Sequence, residues 1–140
     1  MKSTTNIYTC GIFDLFHISH LKALKQAKSY GTHLVVGVCT DSDAQAYKRQ
    51  PIIPYEHRFE IIRSLSFVDK VVCGPLVTPR SFYEKHQITW HIQAEDEYDD
   101  TEWKFYNAGK EMGLMKFIGR DETISTTEII TSIKRAFTNE

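Results

Sequence analysis

The sequence has 140 residues, a formal net charge of −1, and 41% hydrophobic and 25% charged residues. This length and composition are typical of one folded domain, residues 1–140, and the near-zero charge argues against a nucleic-acid-binding surface. Because the sequence has no secretory leader and no apolar run of about 18 residues, we expect a cytoplasmic protein.

Short apolar runs that favour β-strands alternate along the whole chain with runs of helical periodicity. In chain order, the predicted strands are Thr5–Cys10, His33–Cys39, Val68–Cys73, Ile88–Ile92 and Leu114–Ile118. The predicted helices are Ile18–Ser29, a short one after 40–43, Tyr55–Leu65, Arg80–His86, Glu102–Met112, and a last one starting at Ser125 or Thr126. The polar segments 47–54 and 93–101 are predicted loops. Strands that alternate with helices in this way predict a doubly wound parallel α/β sheet, in which ligands bind beyond the carboxyl ends of the strands.

Two histidines lie where the first predicted strand gives way to the first helix. His17 and His20 are three residues apart in the first helical turn, so both rings should face the same side. A helix N-terminus has unpaired N–H groups and a positive dipole end, which together bind phosphate. The segment therefore predicts a phosphate site. Asp14 could cap the helix, orient a histidine or face a metal, and these alternatives stay open.

A second polar motif, residues 120–127, precedes the last predicted helix. Arg120 is a candidate phosphate ligand, and Ser125 and Thr126 bring hydroxyls and backbone N–H groups to the helix N-terminus. A plain N-cap with Glu128 as its partner is compatible with the same role. The first and last strands end at the two motifs, so the motifs can meet over one crevice.

Together the two motifs resemble those of a known family. Residues 11–20 resemble the Gly-x-Phe-Asp-x-x-His-x-Gly-His pattern of the nucleotidyltransferase superfamily, with Ser19 at the second glycine. Residues 120–127 resemble the Arg-Thr-x-Gly-Ile-Ser-Thr-Thr signature of the cytidylyltransferases, with Asp121 and Thr123 as departures. The resemblance extends over nearly the whole chain. It implies a single Rossmann-like sheet of five parallel strands in the order 3-2-1-4-5, usually in a homodimer.

The resemblance also implies roles for individual side chains. The histidines would donate hydrogen bonds to the phosphates of CTP and to the transition state. A lysine in the loop after the second strand would lie over the phosphates, and the Tyr-Lys-Arg string at 47–49 resembles the Phe-Lys-Gly of phosphocholine enzymes. The residues given catalytic roles in this way are His17, His20, Lys48 and Arg120.

Two further segments match the family. Tyr55-Glu-His-Arg58 resembles a string of glycerol-3-phosphate enzymes, in which the arginine would contact the nucleotide. The segment 92–96 occupies the place of the family's Gly-Asp-Asp or His-Asp-Asp loop near cytosine and the second substrate, and differs from it at Ala94 and Glu95. The resemblance thus implies contacts with CTP from Cys10, Gly11, Ile12, Phe13, Asp14, Arg58, Ala94, Glu95, Asp96, Ile124, Ser125, Thr126 and Thr127. Mg²⁺ would be bound mainly through the CTP phosphates, without protein ligands.

The activity that the resemblance implies is transfer of CMP from CTP to a phosphorylated alcohol, with release of pyrophosphate. Glycerol 3-phosphate, giving CDP-glycerol, is the first acceptor that we expect, because the domain is compact and carries the Tyr-Glu-His-Arg string. Phosphocholine, phosphoethanolamine or an unusual phospho-alcohol is the alternative. The acidic stretch 95–102, with Tyr98 and Trp103, could meet a cationic acceptor or could simply be solvated.

Two other functions remain open at this point. Adenylyl transfer from ATP occurs in related families, although the Ile-Ser-Thr-Thr string at 124–127 argues against it. A catalytically silent nucleotide-binding or regulatory module is favoured by the departures at Ser19 and Thr123, and by Ser66, which stands where the glycerol-3-phosphate relatives have an arginine.

Overall fold

The computed structural model describes residues 3–94, 103–119 and 122–138. Its strands are β1 (Asn6–Gly11), β2 (His33–Val38), β3 (Lys70–Cys73), β4 (Ile88–Ala94) and β5 (Met115–Ile118). Its α-helices are α1 (Ile18–Lys28), α2 (Asp41–Tyr47), α3 (Tyr55–Arg63), α4 (Arg80–Lys85), α5 (Asn107–Glu111) and α6 (Thr126–Phe137), with a 3₁₀ turn at Trp103–Tyr106. None of the helices in these ranges is long and apolar enough to cross a membrane.

The five strands form one sheet in the order β3-β2-β1-β4-β5, and every pair is parallel. This confirms the predicted strand order and the Rossmann-like α/β fold. The central strand, β1, has Tyr8 opposite Val35 of β2 and His91 of β4. Since the chain reverses its direction of winding at β1, a crevice opens between the carboxyl ends of β1 and β4.

Helices cover both faces of the sheet because successive strand residues point to opposite sides. On one face, Ile7 and Leu34 pack in a cluster with Leu24 of α1 and Ile62 of α3. On the other face, the neighbouring residues Tyr8 and Val35 pack with Tyr83 of α4 and with partly buried side chains of α5. The near-continuous apolar run in β2 fits this two-sided burial.

The structure corrects two predicted boundaries. Strand β4 runs to Ala94, whereas a loop was predicted from residue 93, because Gln93 and Ala94 pair with Phe117 and Ile118 of β5. The predicted helix 102–112 is divided into the 3₁₀ turn and α5. The carbonyl of Phe105 accepts its hydrogen bond from Thr78 N (3.1 Å) and so takes part in a tertiary contact.

Candidate functional site

A cavity of about 370 Å³ lies at the carboxyl ends of β1 and β4, between the N-termini of α1 and α6. The predicted site residues that line it are Cys10, Gly11, Ile12, Phe13, Asp14, His17, His20, Lys48, Ala94, Ile124, Ser125, Thr126 and Thr127. The structure therefore brings together the two motifs, which are about a hundred residues apart in sequence. Glu95, Asp96 and Arg120 lie outside the described residues.

The two histidines form a stacked pair at the start of α1. His17 is the N-cap residue, and His20 is the third residue of the helix. Their ring centroids are 3.7 Å apart and their planes differ by 18°. The ring of His20 is also packed between Phe13 and Phe16, each with its centroid 5.5 Å away. The spacing of three residues therefore places both imidazoles on one wall of the cavity, as predicted.

Hydrogen bonding determines which nitrogen of His20 carries the proton. The backbone N–H of His17 donates to His20 Nδ1 at 3.3 Å, so the neutral ring carries its proton on Nε2. Burial, and secondarily the charge of His17, lowers the pKa of His20 to about 4, although Asp14 opposes the shift. Near neutral pH, His20 is therefore an uncharged imidazole with an N–H to donate.

His17 connects the first motif directly to the second. Its Nε2 atom lies 3.2 Å from the hydroxyl of Thr126, the first residue of α6. That hydroxyl donates its one proton to the backbone carbonyl of Asp14 at 3.2 Å, so it accepts from His17 Nε2–H. Ser125 is the N-cap of α6 and accepts from Glu128 N at 3.1 Å, as expected. Two helix N-termini and two imidazole N–H groups thus surround one cavity.

The carboxylate of Asp14 stabilises the loop that carries the predicted lysine. It accepts hydrogen bonds from Ile52 N, Ile53 N and Arg49 Nη1, each at 2.9 Å. Burial alone would raise the pKa of Asp14, but these three donors outweigh burial and hold the pKa below its ordinary value. Because His17 is the N-cap of α1, the capping role considered for Asp14 is wrong. Instead, Asp14 fastens the loop so that Lys48 lines the cavity.

Arg58 lies outside the cavity in which we expect the nucleotide to bind. Its side chain is fully buried and does not line the cavity. The guanidinium donates to three backbone carbonyls and to one carboxylate; these acceptors are Ile12 O (2.6 Å), Cys39 O (2.8 Å), Ile53 O (2.9 Å) and Asp41 Oδ1 (2.7 Å). The expected nucleotide contact is therefore corrected. Arg58 holds together the turn after β1, the end of β2 and the loop before α3.

Comparisons with known proteins decide the family. The family model "Cytidylyltransferase-like" matches residues 8–136, nearly the whole chain. The chain belongs to this family. It is 34% identical over 137 residues to choline-phosphate cytidylyltransferase 2 of Arabidopsis thaliana, covering 94% of this chain and 45% of the relative. It is 33% identical over 137 residues to ethanolamine-phosphate cytidylyltransferase of Dictyostelium discoideum, covering 93% of this chain and 38% of the relative.

The chain thus spans less than half the length of these curated relatives. Among solved structures, it is similar to the lipopolysaccharide core biosynthesis protein of Thermoplasma volcanium. The TM-score is 0.69 at 23% identity, covering 85% of this chain and 98% of the other. A protein of unknown function from Archaeoglobus fulgidus matches with a TM-score of 0.59 at 20% identity, covering 87% and 93%. These two structural matches support the fold.

Ser19 and Thr123, which depart from the two family motifs, both take part in hydrogen bonds between α1 and the segment before α6. The hydroxyl of Ser19, at the usual glycine of the histidine motif, accepts from Ile124 N at 3.0 Å. Lys22 Nζ donates to the hydroxyl of Thr123, at the usual glycine of the second motif, at 3.2 Å. A glycine at either position has no hydroxyl to offer. In this chain the two substitutions therefore tie the segment before α6 to α1.

Replacing Ser19 with alanine should lower the free energy of unfolding by about 1 kcal/mol, the usual net value of one hydrogen bond, because Ile124 N–H loses its acceptor. Urea denaturation measures this difference. Ser29→Ala is the matched control, since it removes an exposed hydroxyl at the end of the same helix, which bonds Gln26 O. Equal stability of both variants would contradict a tie between the two motifs.

Several residues that line the cavity were given no individual role from the sequence, among them Gln93, Tyr47 and Tyr106. Gln93 was placed in a loop, although it belongs to β4. Tyr47 is the last residue of α2 and Tyr106 the last of the 3₁₀ turn, and the sequence does not reveal how these elements are oriented. Only Gln93 had a usable signal, because it continues the apolar strand by one residue towards the predicted substrate loop.

Proposed function

We propose that this domain is a CTP-dependent cytidylyltransferase that joins CMP to a phosphorylated alcohol and releases pyrophosphate. The observation that supports this most is the pair of imidazoles at the N-terminus of α1, which faces the N-terminus of α6 across one cavity. These groups supply several hydrogen-bond donors and two positive dipole ends, as a triphosphate requires. The named relatives point to the same reaction class.

Cytidylyl transfer is a displacement at the α-phosphorus of CTP. A phosphate oxygen of the acceptor forms a bond to that phosphorus, the bond to the bridging oxygen breaks, and its electron pair leaves on pyrophosphate. Negative charge then develops on the non-bridging and departing oxygens. His20 Nε2–H is available to donate to them, His17 Nε2–H would do so by exchanging the Thr126 hydroxyl for a phosphate oxygen, and Lys48 adds positive charge at the cavity wall. The protein's contribution is mainly positioning and electrostatic stabilisation.

Mg²⁺ bound through the CTP phosphates would neutralise part of their charge. Within residues 3–94, 103–119 and 122–138, no three His, Cys, Asp or Glu side chains converge into a metal site. The carboxylate of Asp14, considered as facing a metal, accepts three hydrogen bonds from the loop. Binding of Mg²⁺ mainly through the CTP phosphates stays a prediction.

For the acceptor, we propose phosphocholine or phosphoethanolamine ahead of glycerol 3-phosphate. The curated relatives are named for the first two compounds. Glycerol 3-phosphate was expected partly from the Tyr-Glu-His-Arg string, but Arg58 of that string is buried and bonded to the backbone. Arg58 therefore supports this part of the fold and gives no reason to prefer glycerol 3-phosphate. The homodimer and the cytoplasmic location stay predictions.

Pyrophosphate release tests the proposal. The purified chain is incubated with Mg²⁺, CTP or ATP, and each of the three phospho-alcohols. Turnover that requires CTP and one of these acceptors is the expected result. Turnover with ATP but not with CTP would indicate adenylyl transfer in place of cytidylyl transfer. CTP binding without turnover on any acceptor would indicate a silent nucleotide-binding module.

A further inference from the structure

A network of buried polar side chains runs from α4 through β4 to the wall of the cavity. His91, in the middle of β4, is completely buried, and Tyr83 of α4 is 1% exposed. The hydroxyl of Tyr83 lies 2.7 Å from His91 Nδ1, and His91 Nε2 lies 3.0 Å from Gln93 Oε1. Gln93 in turn bonds both the N–H and the carbonyl of Cys10, at 3.0 and 3.3 Å.

The backbone of Cys10 determines which group donates and which accepts in each hydrogen bond of this network. Its N–H can only donate, so the atom of Gln93 that faces it is the oxygen and the amide nitrogen faces the carbonyl. Gln93 Oε1 can only accept, so His91 donates to it from Nε2–H. The neutral His91 ring then has no proton on Nδ1, which accepts from the Tyr83 hydroxyl.

Two further observations support this assignment. Burial lowers the pKa of His91 to about 4, so the ring is neutral near physiological pH. The hydroxyl of Thr9 also lies 3.2 Å from Gln93 Oε1, and rotating the amide by 180° would place an NH₂ group against the donors of Cys10 and His91. The amide orientation is therefore determined by at least two donors from the protein.

One N–H of the Gln93 amide is not used in this network. The amide nitrogen has two protons, and Cys10 O accepts one of them. Within the described ranges, no acceptor for the second is found, and Gln93 lines the cavity. Burying a polar group costs free energy unless the group is hydrogen-bonded. The second N–H of Gln93 at the cavity wall is therefore available to a bound ligand.

We propose that Tyr83 and His91 are positioning residues that hold the amide of Gln93 with its free N–H available to a hydrogen-bond acceptor atom of the substrate. An oxygen or ring nitrogen of cytosine and an oxygen of the phospho-alcohol share the required chemistry. An ammonium group does not accept a hydrogen bond and is excluded as the partner. The identity of the substrate in this inference rests on the proposed function, whereas the orientation of the amide follows from the hydrogen bonds of the protein itself.

The test compares Tyr83→Phe with Tyr8→Phe. Both tyrosines are buried on the same face of the sheet, both rings contact the His91 ring, and both changes remove only a hydroxyl. The hydroxyl of Tyr83 bonds His91, whereas that of Tyr8 faces Gly37 and the Cys10 thiol and makes no hydrogen bond to His91 or Gln93. In Tyr83→Phe, the His91 proton can move to Nδ1. His91 Nε2 then no longer donates to Gln93 Oε1, and among the described residues the amide is held by Cys10 and Thr9 alone.

The ¹⁵N chemical shifts of the His91 ring report the tautomer directly, with the resonances identified from a His91→Gln variant. The wild type and Tyr8→Phe should carry the proton on Nε2, and Tyr83→Phe should show both tautomers. In steady-state kinetics, Tyr83→Phe should raise one KM by about five- to tenfold, the value of one hydrogen bond, with kcat within about twofold. Tyr8→Phe should have wild-type kinetics.

The substrate whose KM rises identifies the source of the acceptor atom: CTP for cytosine, the phospho-alcohol for the second substrate. In a Gln93→Leu background, Tyr83→Phe should have no further effect, because Tyr83 acts through Gln93. A wild-type His91 protonated on Nδ1, an equal effect of Tyr8→Phe, or additive effects with Gln93→Leu would overturn the inference. A wild type with the expected tautomer but no turnover would overturn the proposed function and leave the orientation of the amide intact.

Discussion

Replacing His17 or His20 with alanine should lower kcat by about 10²- to 10³-fold, the usual cost of removing one donor that stabilises developing charge. Both neutral imidazoles carry their proton on Nε2, where that of His17 now bonds the Thr126 hydroxyl, and the stacked rings line the same cavity wall. Because the α6 N-terminus and Lys48 remain, the KM for CTP should change far less than kcat. Steady-state pyrophosphate release measures both quantities.

His57→Ala is the matched control, because His57 is exposed on α3 and does not line the cavity. His20→Asn should accompany His20→Ala, since the ring of His20 is packed between Phe13 and Phe16 and its loss leaves a space. Circular dichroism and urea denaturation establish that each variant is folded. If kcat stays within about threefold of wild type in both histidine variants, His17 and His20 do not act as donors to the transition state, because such a donor should cost far more than threefold.

Replacing Arg58 with methionine should destabilise the fold by about 3–5 kcal/mol, the range found when one partner of a buried charged network is removed. The change leaves three backbone carbonyls and the Asp41 carboxylate without the donor that now joins them. Methionine keeps most of the length of the side chain, so the loss of hydrogen bonds dominates over the loss of volume. Urea denaturation measures the difference.

Arg63→Met is the matched control for this change. Arg63 lies on the same helix and forms an ion pair with Glu60, but both side chains are more than half exposed. Solvent screens such pairs, and we expect little or no change in the free energy of unfolding. If Arg58→Met unfolds like wild type but has lost affinity for CTP, then the nucleotide contact first expected for Arg58 is right and the structural role is wrong.

Most of the fold could be predicted from local patterns. The continuous apolar run in β2 indicated a strand covered on both faces, and helical periodicity located α1, α3 and α6 to within two residues. Strand order was implied by family resemblance, since periodicity does not say which strands are neighbours. The boundaries that were wrong, at Gln93 and near Phe105, are those that depend on pairing with a distant segment.

The candidate site was predicted less evenly. The histidine pair and the N-terminus of α6 were found because a phosphate site at a helix start is a local feature, visible in a few consecutive residues. Arg58 was misassigned because a charged residue in a family string is read as a ligand, whereas its acceptors belong to three other segments. Nothing in the sequence around residue 58 shows that those carbonyls lack other donors.

The sequence by itself determined the alternation of strands and helices, the position of the two motifs and the family to which they point. These properties depend on periodicity and on short strings, which neighbouring residues define. Only the tertiary structure decided that Asp14 fastens a loop, that Ser19 ties α1 to the segment before α6, and that His91 orients Gln93. Each of these roles is a hydrogen bond between segments far apart in sequence, and the donor or acceptor on the other side is known only once the chain has folded.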